Sequence, residues 1–168
     1  MNFKHILSQI QIKVKNGNEN LVYNIKAVRI NSVVGKKKLT YSTTTNNSTW
    51  GNIEGVNSNA QYTLTYANPY KLDGKNTTEL TLTSADATVE NGGGAMLIPQ
   101  NVTAWNGAKV DDTNQYDGGT YISIYLNVRM ASGNKFMYPA GAQGELAYGW
   151  VAIPVPSINW EEGNKYIY

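Results

Sequence analysis

Two-residue alternation of apolar and polar side chains is the feature that most constrains this chain. It is clearest in "GTYISIYLNVRM" (Gly119 to Met130), where Ile122, Ile124, Leu126, Val128 and Met130 point one way and Tyr121, Ser123, Tyr125, Asn127 and Arg129 the other. Successive side chains of a strand face opposite sides of a sheet, so this pattern predicts a strand with one buried face. The same period recurs at Ile10, Ile12 and Val14, with Gln11, Lys13 and Lys15 opposite. Asn16-Gly17 then reads as a tight hairpin turn into a return strand over Leu21 to Ile30. Within that return the alternation slips between Ile25 and Val28, which predicts a β-bulge.

Shorter strands follow at "QYTLTY" (Gln61 to Tyr66) and "ELTLTS" (Glu79 to Ser84), with the turn-rich "ANPYKLDGKN" between them. "ASGNK" turns the long strand back into "FMYPA" (Phe136 to Ala140). In "GWVAIPVPSINW" (Gly149 to Trp160), Pro154 and Pro156 cannot donate to a ladder, which assigns the segment to an edge or a strand's exit. "EEGNKYIY" supplies a last turn and the start of a strand. Ser42 to Asn59 and Asn106 to Gly119 read as long loops. No segment of ten or more residues keeps helical spacing, and no repeat or linker divides the chain. The expectation is all-β: one antiparallel β-sandwich domain over residues 1–168.

Composition removes several functions. Net charge is +2, from 14 basic and 12 acidic residues, which gives no basic face for nucleic acid. "GKKKLT" (Gly35 to Thr40) is the one basic cluster, read as a solvated turn before a strand restarts at Leu39. With no Cys and a single His, disulfides, thiolate chemistry and a zinc site of three or four N/S ligands are excluded. His5 has no nucleophile elbow to serve and is expected to pack or cap between Phe3 and Leu7. The pairs Asp111-Asp112 and Glu161-Glu162 would point to opposite sides if extended, unlike carboxylates facing across a glycosidase cleft.

"NGGGAMLIPQ" (Asn91 to Gln100) has no Lys or Ser/Thr at the end of its glycine run and no helical period behind it. It is a flexible lead-in to a strand and not a phosphate loop. Asp111, Asp112, Asn114 and Asp117 offer oxygen donors for calcium at spacings that are not those of an EF-hand, so a plain polar loop is the expectation. Trp150 and Trp160 flank an apolar run and read as packing residues, whereas Trp50 and Trp105 are the candidates for stacking on sugar rings. Asn46, Asn76 and Asn101 begin glycosylation sequons, which so Asn-rich a chain meets by chance. No catalytic, cofactor-binding or metal-binding residue is expected.

Three stretches together resemble the fimbrillin-like family, the pilins and pilin-related surface proteins of the Bacteroides group. "FKHILSQIQIKVKN" (Phe3 to Asn16) is similar to the family's Phe-x-His opening and alternating strand. "AMLIPQNVTAW" is similar to its apolar-Ile-Pro-Gln segment after a Gly-rich turn, and "GWVAIPVPSINWEEGNKYIY" to its closing strand, Trp and Gly-x-x-Tyr-x-Tyr. The resemblance spans Phe3 to Tyr168. It implies a transthyretin-like, Greek-key sandwich and a non-catalytic structural or adhesive subunit of a cell-surface fimbria or pilus. It also implies assembly by donor-strand exchange, with other fimbrial subunits or host and bacterial surface ligands as partners.

Relatives are typically lipid-anchored outer-membrane precursors of two domains, and these motifs resemble the C-terminal one. The chain departs from the full pattern in lacking a lipobox cysteine, a signal and an N-terminal domain, and in stopping at Tyr168. It is therefore expected to be part of a longer lipoprotein precursor whose anchor lies upstream. An open strand edge near one terminal segment is expected. The alternative reading is a carbohydrate-binding β-sandwich of a glycan-uptake system, with Trp50, Trp105 and the tyrosines between them as its platform.

Overall fold

The computed structural model describes residues 5–45, 47–54, 60–75, 79–88, 93–107, 118–141 and 147–168. Among them there is no helix. Fourteen strands form: β1 (Ser8–Gln11), β2 (Lys13–Val14), β3 (Leu21–Val33), β4 (Lys38–Ser42), β5 (Asn47–Gly51), β6 (Ala60–Asp73), β7 (Leu80–Thr81), β8 (Ala95–Leu97), β9 (Gln100–Val102), β10 (Tyr121–Met130), β11 (Phe136–Tyr138), β12 (Gly149–Pro154), β13 (Ile158–Trp160) and β14 (Lys165–Ile167). One five-stranded antiparallel sheet runs β11-β10-β3-β6, with β12 also on β10. A three-stranded sheet, β14-β1-β8, and the pairs β13-β9, β2-β7 and β4-β5 complete the described sheets.

β10 is a strand, as its alternation predicts, but both its faces are covered: Tyr121, Ser123 and Asn127 are buried on the side opposite the aliphatic residues. Ile122, Ile124 and Leu126 lie opposite Ile30, Val28 and Ile25 of β3, and all six are buried. The register shifts where Tyr125 and Leu126 face Ala27 and Ile25, so Lys26 is the extra residue of the expected bulge. Without that insertion, residues 21–25 would present the wrong parity to the core. The large sheet's apolar face meets Ile10, Ile12, Leu80, Leu82, Ala95, Val102, Val155 and Trp160 from the smaller sheets and their connections in one cluster. Each fully buried aliphatic side chain there contributes roughly 1.5–3 kcal/mol.

Three local expectations need correction. Asn16-Gly17 does not close a hairpin, because β1 and β2 pair with β14, β8 and β7 and never with β3. Asn16 is instead buried, donating to the carbonyls of Leu21 (2.8 Å) and Leu72 (3.2 Å) and accepting from the Asn18 amide (2.8 Å). Its side chain holds together a crossing between sheets. The segment Ala67 to Asp73, read as turn-rich, continues β6, since the strand kinks past Lys26 and re-pairs Tyr70 with Ile25. Asn47–Gly51, inside the expected long loop, is β5, whose Trp50 faces Leu39 across the pair with β4.

The glycine run behaves as a lead-in. A Cβ on Gly94 would lie 2.8 Å from the Ile10 carbonyl oxygen and 2.7 Å from Gln9 Cγ, so only glycine lets the backbone come this close before β8.

Candidate functional site

With strands as the regular elements among the described residues, the chemistry on offer is of two kinds: unpaired ladder groups at strand edges, and side chains on exposed sheet faces. The edges differ in how they are defended. Among the described strands β6 pairs only with β3, and its run is broken opposite Lys26 and carries exposed Pro69. Among them too, β12 pairs only with β10; it ends at Pro154, with Pro156 beyond, as the prolines predict. β8 is three residues long and is followed by Pro99.

β14 is as short as β8 and carries the charge of Lys165, but it has neither a proline nor a break. It runs parallel to β1, with Gln9, Ile10 and Gln11 opposite Lys165, Tyr166 and Ile167. The Gln9 amide donates to the Asn164 carbonyl (2.9 Å), the Tyr168 amide to the Gln11 carbonyl (2.9 Å) and the Lys13 amide to the Tyr168 carbonyl (2.8 Å). Residues of even number thus serve β1, and in a parallel ladder their neighbours Lys165 and Ile167 turn their amides and carbonyls outward. Among the described strands nothing pairs with that side, and the Ile167 side chain beside it is 57% exposed.

The strand is nevertheless firmly seated. The Trp160 Nε1–H donates to the Tyr168 hydroxyl (3.0 Å), and the Tyr166 hydroxyl donates to the Asn159 carbonyl (2.8 Å) while accepting from the Glu161 amide (2.9 Å). Burial pushes the Tyr168 phenol above its ordinary value, a rise that the Trp160 hydrogen bond only partly offsets. Among the described strands, an open edge thus lies on the C-terminal segment, one of the two places where the family resemblance led one to expect it.

A model of the fimbrillin-like family matches residues 1–168. The chain belongs to that family. It is therefore a fimbrial subunit in the general sense, from a family of structural cell-surface proteins that associate with other fimbrial subunits. No curated protein and no solved structure matches it.

The remaining candidates of this fimbrillin-like chain are dispersed. Asp111, Asp112, Asn114 and Asp117, with Asn46 and Asn76, lie outside the described residues. His5 is exposed and not packed, and Phe3 lies outside the described residues. Glu161 accepts from the Asn164 side chain (3.1 Å), while Glu162 accepts from the Ser48 hydroxyl (3.3 Å), so the two carboxylates have separate partners. Asn101 is exposed on β9. Among the described residues no three His, Asp or Glu side chains gather at a metal-sized site.

The tryptophans divide differently from the sequence reading. Trp160 is core, as expected, at 1% exposure. Trp105 is half-buried and tilted against the ring of Tyr121 at 5.2 Å, and Trp50 is half-buried on β5 opposite Leu39. Trp150 packs on the polar face of the large sheet, stacked on Tyr125 at 4.9 Å with the Arg29 guanidinium 3.8 Å from its ring centre. Tyr148 and then Lys26 extend the row, at 5.4 and 5.5 Å. Small Ser123, Ala27 and Ala152 around these residues leave room for the stack. The rings and cations of this row pack on one another, which stiffens this face of the sheet.

Proposed function

We propose that this chain is the C-terminal, single-domain portion of a lipid-anchored outer-membrane precursor, and that it assembles into a fimbria by strand donation. An extended segment of a neighbouring subunit adds to the outer edge of β14. The observation that carries this reading is the unpaired, unblocked ladder of Lys165 and Ile167 on a strand held rigidly from behind. An incoming strand gains main-chain hydrogen bonds there, and its alternate side chains meet Ile167 on one face and the ring of Tyr166 on the other.

The parity of the ladder provides a selective test. The Ile167 amide faces away from β1, so Ile167→Pro deletes an outward donor without removing a bond to β1. Full-length, N-terminally processed precursor is expected to form filaments by electron microscopy. The Ile167→Pro protein is expected to stay monomeric with its melting temperature nearly unchanged. Filaments of normal length and yield from the proline variant would remove β14 as the acceptor edge.

A further inference from the structure

The cleft at the foot of the β4–β5 hairpin has the features of a ligand site independent of the β14 edge. It encloses about 490 Å³ and is lined by Val34, Lys36, Lys37, Asn52, Ile53, Gln100 and Asn101. That volume falls within the roughly 300–1,000 Å³ typical of small-ligand pockets. Its walls are fixed from two distant parts of the chain. At the end of β3, a Cβ on Gly35 would lie 2.5 Å from the Ala60 Cβ, so the backbone is pressed against β6 just before the lysine run. On the opposite wall the Gln100 amide is fully committed: its Oε1 accepts from the Val34 amide (2.7 Å) and its Nε2 donates to the Ile98 carbonyl (2.9 Å).

The groups that remain uncommitted define the ligand. Lys37 is half-buried, and its one described contact is a long hydrogen bond from Nζ to the Pro99 carbonyl (3.5 Å). An ammonium has three donors, so at least two N–H groups are left to use. Neither Lys37 nor Lys36 has an ion-pair partner among the described residues. A partly desolvated cation without a counter-charge gains when an anion enters. The Asn52 and Asn101 amides are exposed and have no side-chain hydrogen bond among the described residues, while Val34 and Ile53 give the cleft an apolar patch. Glu162, whose carboxylate accepts from Ser48 of the hairpin, does not line the cleft.

We propose that this cleft binds an anionic sugar unit, carboxylated or sulfated, of a surface polysaccharide. Lys36 and Lys37 meet the acid group, the amides of Asn52 and Asn101 pair with ring hydroxyls, and Ile53 and Val34 lie under the C–H face of the ring. A free inorganic anion would use the lysines and leave the amides and the apolar wall idle, and a neutral sugar would leave the two ammonium groups without a counter-charge.

Affinity electrophoresis of the monomer tests this, with polygalacturonate and chondroitin sulfate as acidic gels, a neutral glucan as control, and poly-glutamate as an acidic polymer that is not a sugar. Retardation by at least one acidic polysaccharide is expected, weakening with salt and absent with the glucan. Lys36→Gln/Lys37→Gln is expected to weaken it about tenfold or more, the loss of one or two charge-assisted contacts. Lys15→Gln/Lys135→Gln carries the same charge change on exposed residues elsewhere and is expected to leave binding intact. Asn52→Ala/Asn101→Ala keeps both charges, leaves no core contact missing and is expected to weaken sugar binding severalfold. Equal loss in the Lys15/Lys135 control, equal retardation by poly-glutamate or by glucan, no effect of the asparagine pair, or no retardation at all each overturns the proposal.

Discussion

Replacing Tyr66 by Phe should destabilise the protein at neutral pH and make it less sensitive to alkali. Tyr66 is 4% exposed, its hydroxyl donates to the Leu82 carbonyl, and its ring stands edge-on to Tyr70 at 4.8 Å. Tyr66→Phe keeps the ring packing but deprives a buried carbonyl of its donor. The expected cost is about 1–3 kcal/mol, at roughly 2–4 °C of melting temperature per kcal/mol for a chain of this size. Burial, and then the neighbouring Tyr70 and Tyr62, hold the Tyr66 phenol far above its ordinary value. Tyrosines of the unfolded chain titrate near pH 10. Above that pH the unfolded state has lost protons that the folded state keeps, so stability is full below about pH 10 and falls as pH rises. Each raised tyrosine contributes up to about 1.4 kcal/mol per pH unit to that fall. Tyr66→Phe removes one such contribution, while lysines and the other tyrosines titrate alike in both proteins. A deficit of about 2 kcal/mol at pH 8 should therefore shrink to near zero by about pH 11.5. Urea unfolding followed by tryptophan fluorescence at pH 8, 10, 11 and 11.5 reads this directly. A deficit that stays constant across the series would refute the reasoning, as would a Tyr66 phenolate that appears together with those of exposed tyrosines.

Other substitutions probe other contacts. Trp150→Ala removes the stacking partner of both Tyr125 and Arg29 and should cost about 2–4 kcal/mol in urea unfolding, with Trp150→Phe recovering part of it. Tyr168→Phe leaves the Nε1–H of fully buried Trp160 without its hydroxyl partner and should cost about 1–3 kcal/mol, a loss that Trp160→Phe in the same chain should not add to in full. Gly35→Ala drives a methyl into Ala60 and should cost about 1–3 kcal/mol, which Ala60→Gly in the same chain should partly restore.

What was legible in the sequence follows a physical rule. β10 could be read because both its neighbours bury the same face, so each of Ile122, Ile124 and Leu126 had to be apolar. The bulge at Lys26 could be read because a one-residue slip reverses that requirement midway along β3. The Asn16 crossing could not, since Asn-Gly favours a tight turn locally while the bonds that fix it come from Leu72 in a strand 56 residues away. β5 was hidden for the opposite reason: mostly exposed, it buries too little to impose an apolar period, and pairing with β4 alone makes it a strand. The Trp150 stack was illegible because its partners arrive from three strands, and the lysine cleft because its far wall is supplied by Gln100 and Asn101.

The choice of β14 as acceptor turns on what the other edges spend to avoid partners. A regular strand added to β6 would lose its register at the kink opposite Lys26 and meet Pro69, which offers no amide. Along β12 it would run into Pro154 and Pro156, and along β8 it would find three residues before Pro99. These are the devices by which sheet edges are kept from unwanted pairing. β14 carries one of them, the charge of Lys165, and sets beside it an exposed isoleucine that solvent alone gives no reason to keep. Compared with β6, β8 and β12, β14 has neither a proline nor a break, which is what supports it as the proposed acceptor. If Ile167→Asp, which adds charge at the same edge but keeps every amide, blocks assembly as fully as Ile167→Pro, side-chain burial drives docking. If only the proline does so, the main-chain ladder does.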